Sequence, residues 1–322
     1  MTTILEIERA ILRLGRPLLV LMIALLVATG VLAHSARVAR AGAFPGLNGK
    51  IVFASFRTLG PGVDNPQGDR EIFSVNPDGS GLKQLTHNAT DDFAPTFSAD
   101  GKNVAFESYR NGNYDIYTMN NDGTGELPIT SSQATDADPT FSPSGDRIAF
   151  GSYRTGNGEI FVARADGTGK PVNLTKSGAT DWMPIWSPNG KKIAFRRDLK
   201  GNAEVYKMNA DGTNVVRLTN DPALDWPDSF SPDGKHISFT SYRDGLGEIF
   251  KMRSDGTVEK RLTSDAYAID TDSAWSPDGK RIVFSRHETN SDIYSMAPDG
   301  TGLTNLTKDS GWDDSSPDWQ PY

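Results

Sequence analysis

An Asp-Gly pair that returns six times at a nearly constant interval confines this chain to a repeat architecture. The aspartates are Asp78, Asp122, Asp166, Asp211, Asp255 and Asp299, spaced 44 or 45 residues apart. A Leu-Thr or Ile-Thr pair keeps step with them, its threonine at Thr86, Thr130, Thr175, Thr219, Thr263 and Thr307. A unit of this length cannot bury its apolar face alone, so successive units must stack on one another. The 279 residues after Ala43 hold six of them.

Each unit reads as four short strands. In the fifth, DSFS leads to a turn at Pro232-Asp233-Gly234, then HISFTS, a loop, EIFKMR, a second turn at Ser254-Asp255-Gly256, and EKRLT. Proline presets φ at a turn corner and glycine takes the left-handed position, so such tetrapeptides suit short hairpins. The second pieces (IVFAS, VAFES, IAFGS, IAFRR, ISFTS, IVFSR) have the apolar runs of buried strands. No segment after residue 43 carries a helical period of useful length.

The two ends of the repeat decide between an open array and a ring. The first unit begins at Gly49-Lys50-Ile51 without a leading strand. The sixth is followed by Ser316-Pro317-Asp318-Trp319, a match to the leading strands that contain Phe97, Phe141, Trp186, Phe230 and Trp275. The predicted fold is therefore all-β: a six-bladed β-propeller of four-stranded antiparallel blades, closed by a C-terminal strand that completes the first blade. Closure removes the strand edges that an open array would expose.

The repeated pattern Pro-x-aromatic-Ser-Pro-Asp-Gly, apolar strand, Ser-x-Arg, Asp/Glu-Ile-aromatic, Asp-Gly-Thr, Leu-Thr resembles the WD-like repeats of the TolB propeller. The resemblance covers essentially all of residues 46–322. It implies a propeller in the bacterial cell envelope used for protein–protein contact in the Tol-Pal system. TolB proper carries an α/β domain ahead of its propeller, whereas here the repeat starts almost directly behind an apolar segment, so TolB-like is the expected description.

That segment, residues 17–33, reads PLLVLMIALLVATGVLA; Arg9, Arg13 and Arg16 precede it, and Ala41-Gly42-Ala43 offers small residues to an export peptidase. The layout is that of a signal peptide, with a retained membrane anchor as the alternative. The expected organisation is a signal peptide or anchor over residues 1–43 and a propeller over 44–322, placed outside the cytoplasm as a periplasmic, secreted or membrane-tethered protein. A monomer is expected. The absence of cysteine excludes disulfides, zinc-thiolate sites and a lipid-modified Cys. Net charge is −8 for the chain and +3 for residues 1–43, leaving −11 on the exported part. Phosphate binding needs clustered cations, so nucleic acid and anionic lipid are poor partners for it.

Propeller topology sends the tight Asp-Gly turns to one end and the more varied loops and inter-blade links to the other, where a site is expected. Five residues before each leading-strand aromatic stands an aspartate: Asp92, Asp136, Asp181, Asp225, Asp270 and Asp314. Such a ring can accept hydrogen bonds within each blade, receive a basic partner, or hold a cation such as Ca²⁺. Ser-aromatic-Arg triplets ending at Arg57, Arg110, Arg154 and Arg243 occupy the same end as pairing candidates. Blades 4 and 6 depart from the triplet, with Arg196-Arg197-Asp198 and Arg286-His287-Glu288, so Asp181 and Asp270 are expected to pair differently and the ring to lose its six-fold character. Trp182 and Trp226 are read as partner anchors or inter-blade packing, and residues 58–69 as a flexible surface loop or a partner contact.

No nucleophile elbow, phosphate loop or His-Glu-x-x-His pair is present, which argues against an enzyme. The expected function is a binding or scaffold module for an envelope protein or peptide. The alternatives are a carbohydrate-active enzyme using acidic loop residues and a cation-stabilised structural propeller; no other cofactor is expected.

Overall fold

The computed structural model describes residues 43–308 and 311–322; the expected export segment lies outside the described residues. Blade 1 contains β1 (Asn48–Ser55), β2 (Glu71–Val75) and β3 (Lys83–Gln84), and blade 2 contains β4 (Asp92–Phe97), β5 (Asn103–Ser108), β6 (Asp115–Asn120) and β7 (Leu127–Pro128). Blade 3 is β8 (Asp136–Phe141), β9 (Arg147–Ser152), β10 (Glu159–Arg164) and β11 (Val172–Asn173); blade 4 is β12 (Thr180–Trp186), β13 (Lys192–Leu199), β14 (Asn202–Asn209) and β15 (Val216–Arg217). Blade 5 is β16 (Asp225–Phe230), β17 (His236–Ser241), β18 (Glu248–Arg253) and β19 (Lys260–Arg261); blade 6 is β20 (Ile269–Trp275), β21 (Ile282–His287), β22 (Ser291–Met296) and β23 (Thr304–Asn305). The last strand, β24 (Asp314–Pro321), pairs antiparallel with β1, Trp319 opposite Ile51 and Asp318 opposite Val52. Each sheet has four strands, and the inner strands β24, β4, β8, β12, β16 and β20 touch in that order and back to β24. The chain is a closed six-bladed propeller, as the repeat predicts.

Both faces of each blade are covered by its neighbours, which is why the second strands are apolar throughout. Six apolar cores fill the six seams. One joins Val52 and Ile72 of blade 1 to Phe97 and Phe106 of blade 2, and another joins Val205 of blade 4 to Phe230 and Phe239 of blade 5. Blade 1 is tied to blade 2 by its late strand: the Phe97 amide donates to Asp318 at 2.7 Å, and Gln320 Nε2 donates to the Gly101 carbonyl at 2.8 Å.

The recurrent Asp-Gly turn has two jobs. Its aspartate accepts from the hydroxyl and amide two residues on, as Asp255 does from Thr257 at 2.7 and 3.0 Å. Its glycine is left-handed and lies against the preceding blade's backbone: a Cβ on Gly300, at φ +94°, would sit 2.5 Å from the Leu262 carbonyl oxygen. In five seams the Asp-Gly glycine meets the leucine carbonyl of a Leu-Thr pair in this way, and in the sixth Gly167 meets the Pro128 carbonyl one residue earlier.

Candidate functional site

The varied-loop end is built on a repeated ion pair. All six inner-strand aspartates are fully buried. In four blades a serine faces the aspartate across the ladder: Ser55 faces Asp314, Ser108 faces Asp92, Ser152 faces Asp136 and Ser241 faces Asp225. The arginine two residues further on turns back to the carboxylate, Arg110 to Asp92 at 3.0 Å, Arg154 to Asp136 at 2.7 Å, Arg243 to Asp225 at 2.9 Å, and Arg57 to Asp314. In blade 4 the arginine itself is the facing residue, and Arg197 grips Asp181 through two bonds of 2.6 and 2.7 Å. In blade 6 Arg286 grips Asp270 the same way, at 2.7 Å twice.

The different pairing expected of Asp181 and Asp270 is what the structure has, and the ring is not strictly six-fold. Asp181 and Asp270 are reached by a shorter route, but every blade contains the same charge pair. Each guanidinium also lies over the rings beneath it, Arg243 over Phe239 and Phe250 at 5.6 and 4.7 Å and Arg286 over Phe284 and Tyr294 at 5.7 and 5.1 Å. Burial pushes the carboxyls of Asp92, Asp225 and Asp314 up to about 6, against the pull of their arginines. The aspartates do not converge on an ion. Each faces its own arginine, and among the described residues no group of three His, Asp or Glu side chains is placed to hold a metal.

A second carboxylate recurs at the head of the third strand, inside the Asp/Glu-Ile-aromatic motif. The repeated Thr hydroxyl accepts from a third-strand amide and donates to this carboxylate, as Thr263 does with Ile249 at 2.9 Å and Glu248 at 2.5 Å. Both halves of this clasp were visible as repeats; their pairing was not read. Blade 5 adds Arg261 to Glu248 at 2.6 Å, and blade 4 adds Arg217 to Glu204. Blade 1 has Gln84 where those arginines stand, and its amide is turned to the Asp64 and Thr86 carbonyls. Glu71 keeps the Thr86 hydroxyl and the Asn88 amide, the latter at 2.7 Å, but gains no arginine, and burial, with Asp92 and Asp69 nearby, pushes its carboxyl up to about 8.

This has a measurable consequence. A carboxyl whose pKa is higher in the fold than in the unfolded chain binds its proton more tightly in the fold, so its contribution is complete below pH ~4.5 and is lost as pH rises toward 8. Chemical denaturation should show stability falling between pH 5 and pH 8. Glu71→Gln should flatten that fall and make the variant the more stable protein at pH 8, by on the order of 3 kcal/mol. A wild-type curve that is flat or rising over this interval would contradict the assignment.

Trp182 and Trp226 are buried, 8% and 2% exposed, so neither is a surface anchor. They form a small core with Ala137, Met183 and Ala203 at the inner strands, and Trp182 lies 4.8 Å from the ring of Tyr153 in blade 3. A Cβ on Gly151 would meet that indole at 2.7 Å, so the glycine makes room for it. The loop at residues 58–69 is anchored along its second half: Asn65 is buried, Gln84 holds both the amide and the carbonyl of Asp64, and Val63 packs on the core between blades 6 and 1. What stands free at this end is a different set of residues, Tyr267 (82% exposed), Leu59 (74%), Leu199 (49%) and Tyr109 (44%). Tyr109 is the aromatic of a Ser-aromatic-Arg triplet, whereas Tyr267, Leu59 and Leu199 lie outside the repeated pattern, so the periodicity gave no reason to single those three out.

With this geometry in place, comparison with known proteins is informative. The model of the TolB beta propeller domain family matches residues 121–322. TolB from Acinetobacter baumannii superposes with a TM-score of 0.74 at 23% identity, over 85% of this chain and 67% of that one. A structure assigned as TolB from Agrobacterium tumefaciens gives 0.64 at 22% identity, over 86% and 99%. At these identities the superpositions establish the fold. Among curated sequences, dipeptidyl-peptidase 5 of Porphyromonas gingivalis is 45% identical over 53 residues, 16% of this chain and only 8% of that protein's length.

Proposed function

Because the chain belongs to the TolB beta propeller domain family, we propose that it is an extracytoplasmic binding module that takes a protein or peptide partner on its varied-loop end. One observation carries this reading. The charged residues repeated at that end are spent on one another inside the blades, while large apolar side chains, Tyr267, Leu59 and Leu199 outside the repeat and Tyr109 within a triplet, project into solvent. Aromatic and aliphatic side chains of this kind act as interface anchors.

The Asp–Arg pairs then act as the frame beneath the contact surface: a partner reaching Asp181 or Asp270 would have to displace a two-bonded guanidinium. The carbohydrate-active alternative needs two carboxylates facing each other across a sugar, and each repeated aspartate instead faces an arginine. In affinity capture from envelope extract, Tyr267→Ser combined with Leu59→Ser should lower recovery of a specific partner at least ten-fold with an unchanged melting temperature. Capture that is unaffected by this variant and lost in Asp181→Asn would return the contact to the aspartate ring.

A further inference from the structure

Two adjacent residues ahead of β1 reach opposite sides of the ring. Ala43 packs in the core shared by blades 5 and 6, with Ile249, Trp275 and Met296. Phe44 packs in the core shared by blades 2 and 3, with Phe141 and Phe161. Those seams are diametrically opposed in a ring of six, so the bond between Ala43 and Phe44 lies across the propeller axis. Its neighbours fix the height. The Gly46 amide donates to the Pro277 carbonyl at 3.3 Å in a turn of blade 6, and Leu47 and Tyr322 exchange backbone hydrogen bonds of 3.1 and 3.0 Å. All belong to the tight-turn end. Blade 2 has Ala99 where blades 3 to 6 have Pro143, Pro188, Pro232 and Pro277, and Ala99 packs on the core that receives Phe44.

We propose that the chain enters the propeller along its axis from the tight-turn end, that the Ala43–Phe44 bond stays intact in the mature protein, and that residues 17–33 remain attached as a membrane tether. The propeller then hangs with its tight-turn end toward the bilayer and its varied loops facing away. Ala43 and Phe44 are each 3% exposed. A product beginning at Phe44 would place a new ammonium among apolar side chains, or would pull Phe44 out of its core; burying an unpaired charge is the unfavourable choice. The nine residues 34–42, fully extended, span about 30 Å, so the tether keeps the tight-turn end close to the membrane. The arginines ahead of the apolar segment hold its start on the cytoplasmic side.

The test uses the full chain expressed in a bacterium that exports it. The expected result is an intact mass of 34.9 kDa in the membrane pellet, resistant to a high-salt wash and released by detergent. A soluble species starting at Phe44, or at any residue after Ala33, would overturn the tether. Orientation is read separately, because the chain has no cysteine and single thiols label uniquely. With the protein in vesicles carrying a headgroup dye, energy transfer from Lys280→Cys, in a tight turn, should exceed that from Asn290→Cys, in a varied loop, several-fold. Equal or reversed transfer would overturn the orientation.

Discussion

Arg286→Ala is expected to destabilise the propeller by about 3–5 kcal/mol, because it leaves a fully buried carboxylate without its counter-charge. Asp270 is 0% exposed and Arg286 7%, and the pair is joined by two bonds of 2.7 Å. Water cannot replace the guanidinium as it does at an exposed surface pair, where the loss would be within about 1 kcal/mol. For a chain of this size such a loss lowers the melting temperature by roughly 10 °C. Arg286→Lys retains the charge but not the planar fork, and should fall between wild type and alanine. Asp270→Asn combined with Arg286→Met removes both charges together and should recover most of the lost stability. An alanine variant within 1 kcal/mol of wild type would show that the loop end opens to solvent far more than its packing implies.

The second large effect is expected at the seams. Gly300→Ala should cost about 3 kcal/mol or more, from two sources that a control separates. Any side chain pays to hold a left-handed φ, about 1–2 kcal/mol, and at Gly300 the new Cβ also meets the Leu262 carbonyl oxygen at 2.5 Å. Gly245 has nearly the same φ, +98°, but nothing within 4 Å of its Cβ position. Gly245→Ala should therefore lose only the backbone part, and urea unfolding of both variants measures the difference. Equal losses would mean that the glycines in the Asp-Gly turns answer to turn geometry alone and not to seam packing.

The period of the sequence is legible along the chain, and its contacts are not. Blade number, strand order and the completion of blade 1 by Trp319 and its neighbours follow from spacing, which needs no side-chain geometry. The pairing of Asp181 with Arg197 was obscured because the Ser-x-Arg triplet drew attention to an arginine two residues beyond the facing position. A guanidinium needs only reach, and cross-strand register decides which of two positions supplies it. For Trp182 and Trp226 the sequence left partner anchors and inter-blade packing both open, because the residues that cover them belong to neighbouring blades, Gly151 and Tyr153 in one case and Arg196, 5.3 Å from the Trp226 ring, in the other. Seam contacts join residues tens of positions apart, with no local signal. Ala43 read as the last small residue of an export peptidase site, and only the ring places it and Phe44 in opposite seams.

The pairing of β24 with β1 also sets the order in which the molecule can be assembled. Lys50 and Gln320, which bond at 3.1 Å, are 270 residues apart in sequence. The equilibrium cost of closing so long a loop grows only logarithmically, but the waiting time does not share that tolerance, because contacts this distant form late. While a ribosome is still adding the sixth blade, the first lacks its innermost strand and β1 keeps a bare edge. Until that edge is filled, neither blade 1 nor the two seams beside it can reach their final packing. The chain should therefore remain loosely folded until its C-terminal strand is available, and become rigid in a single late step.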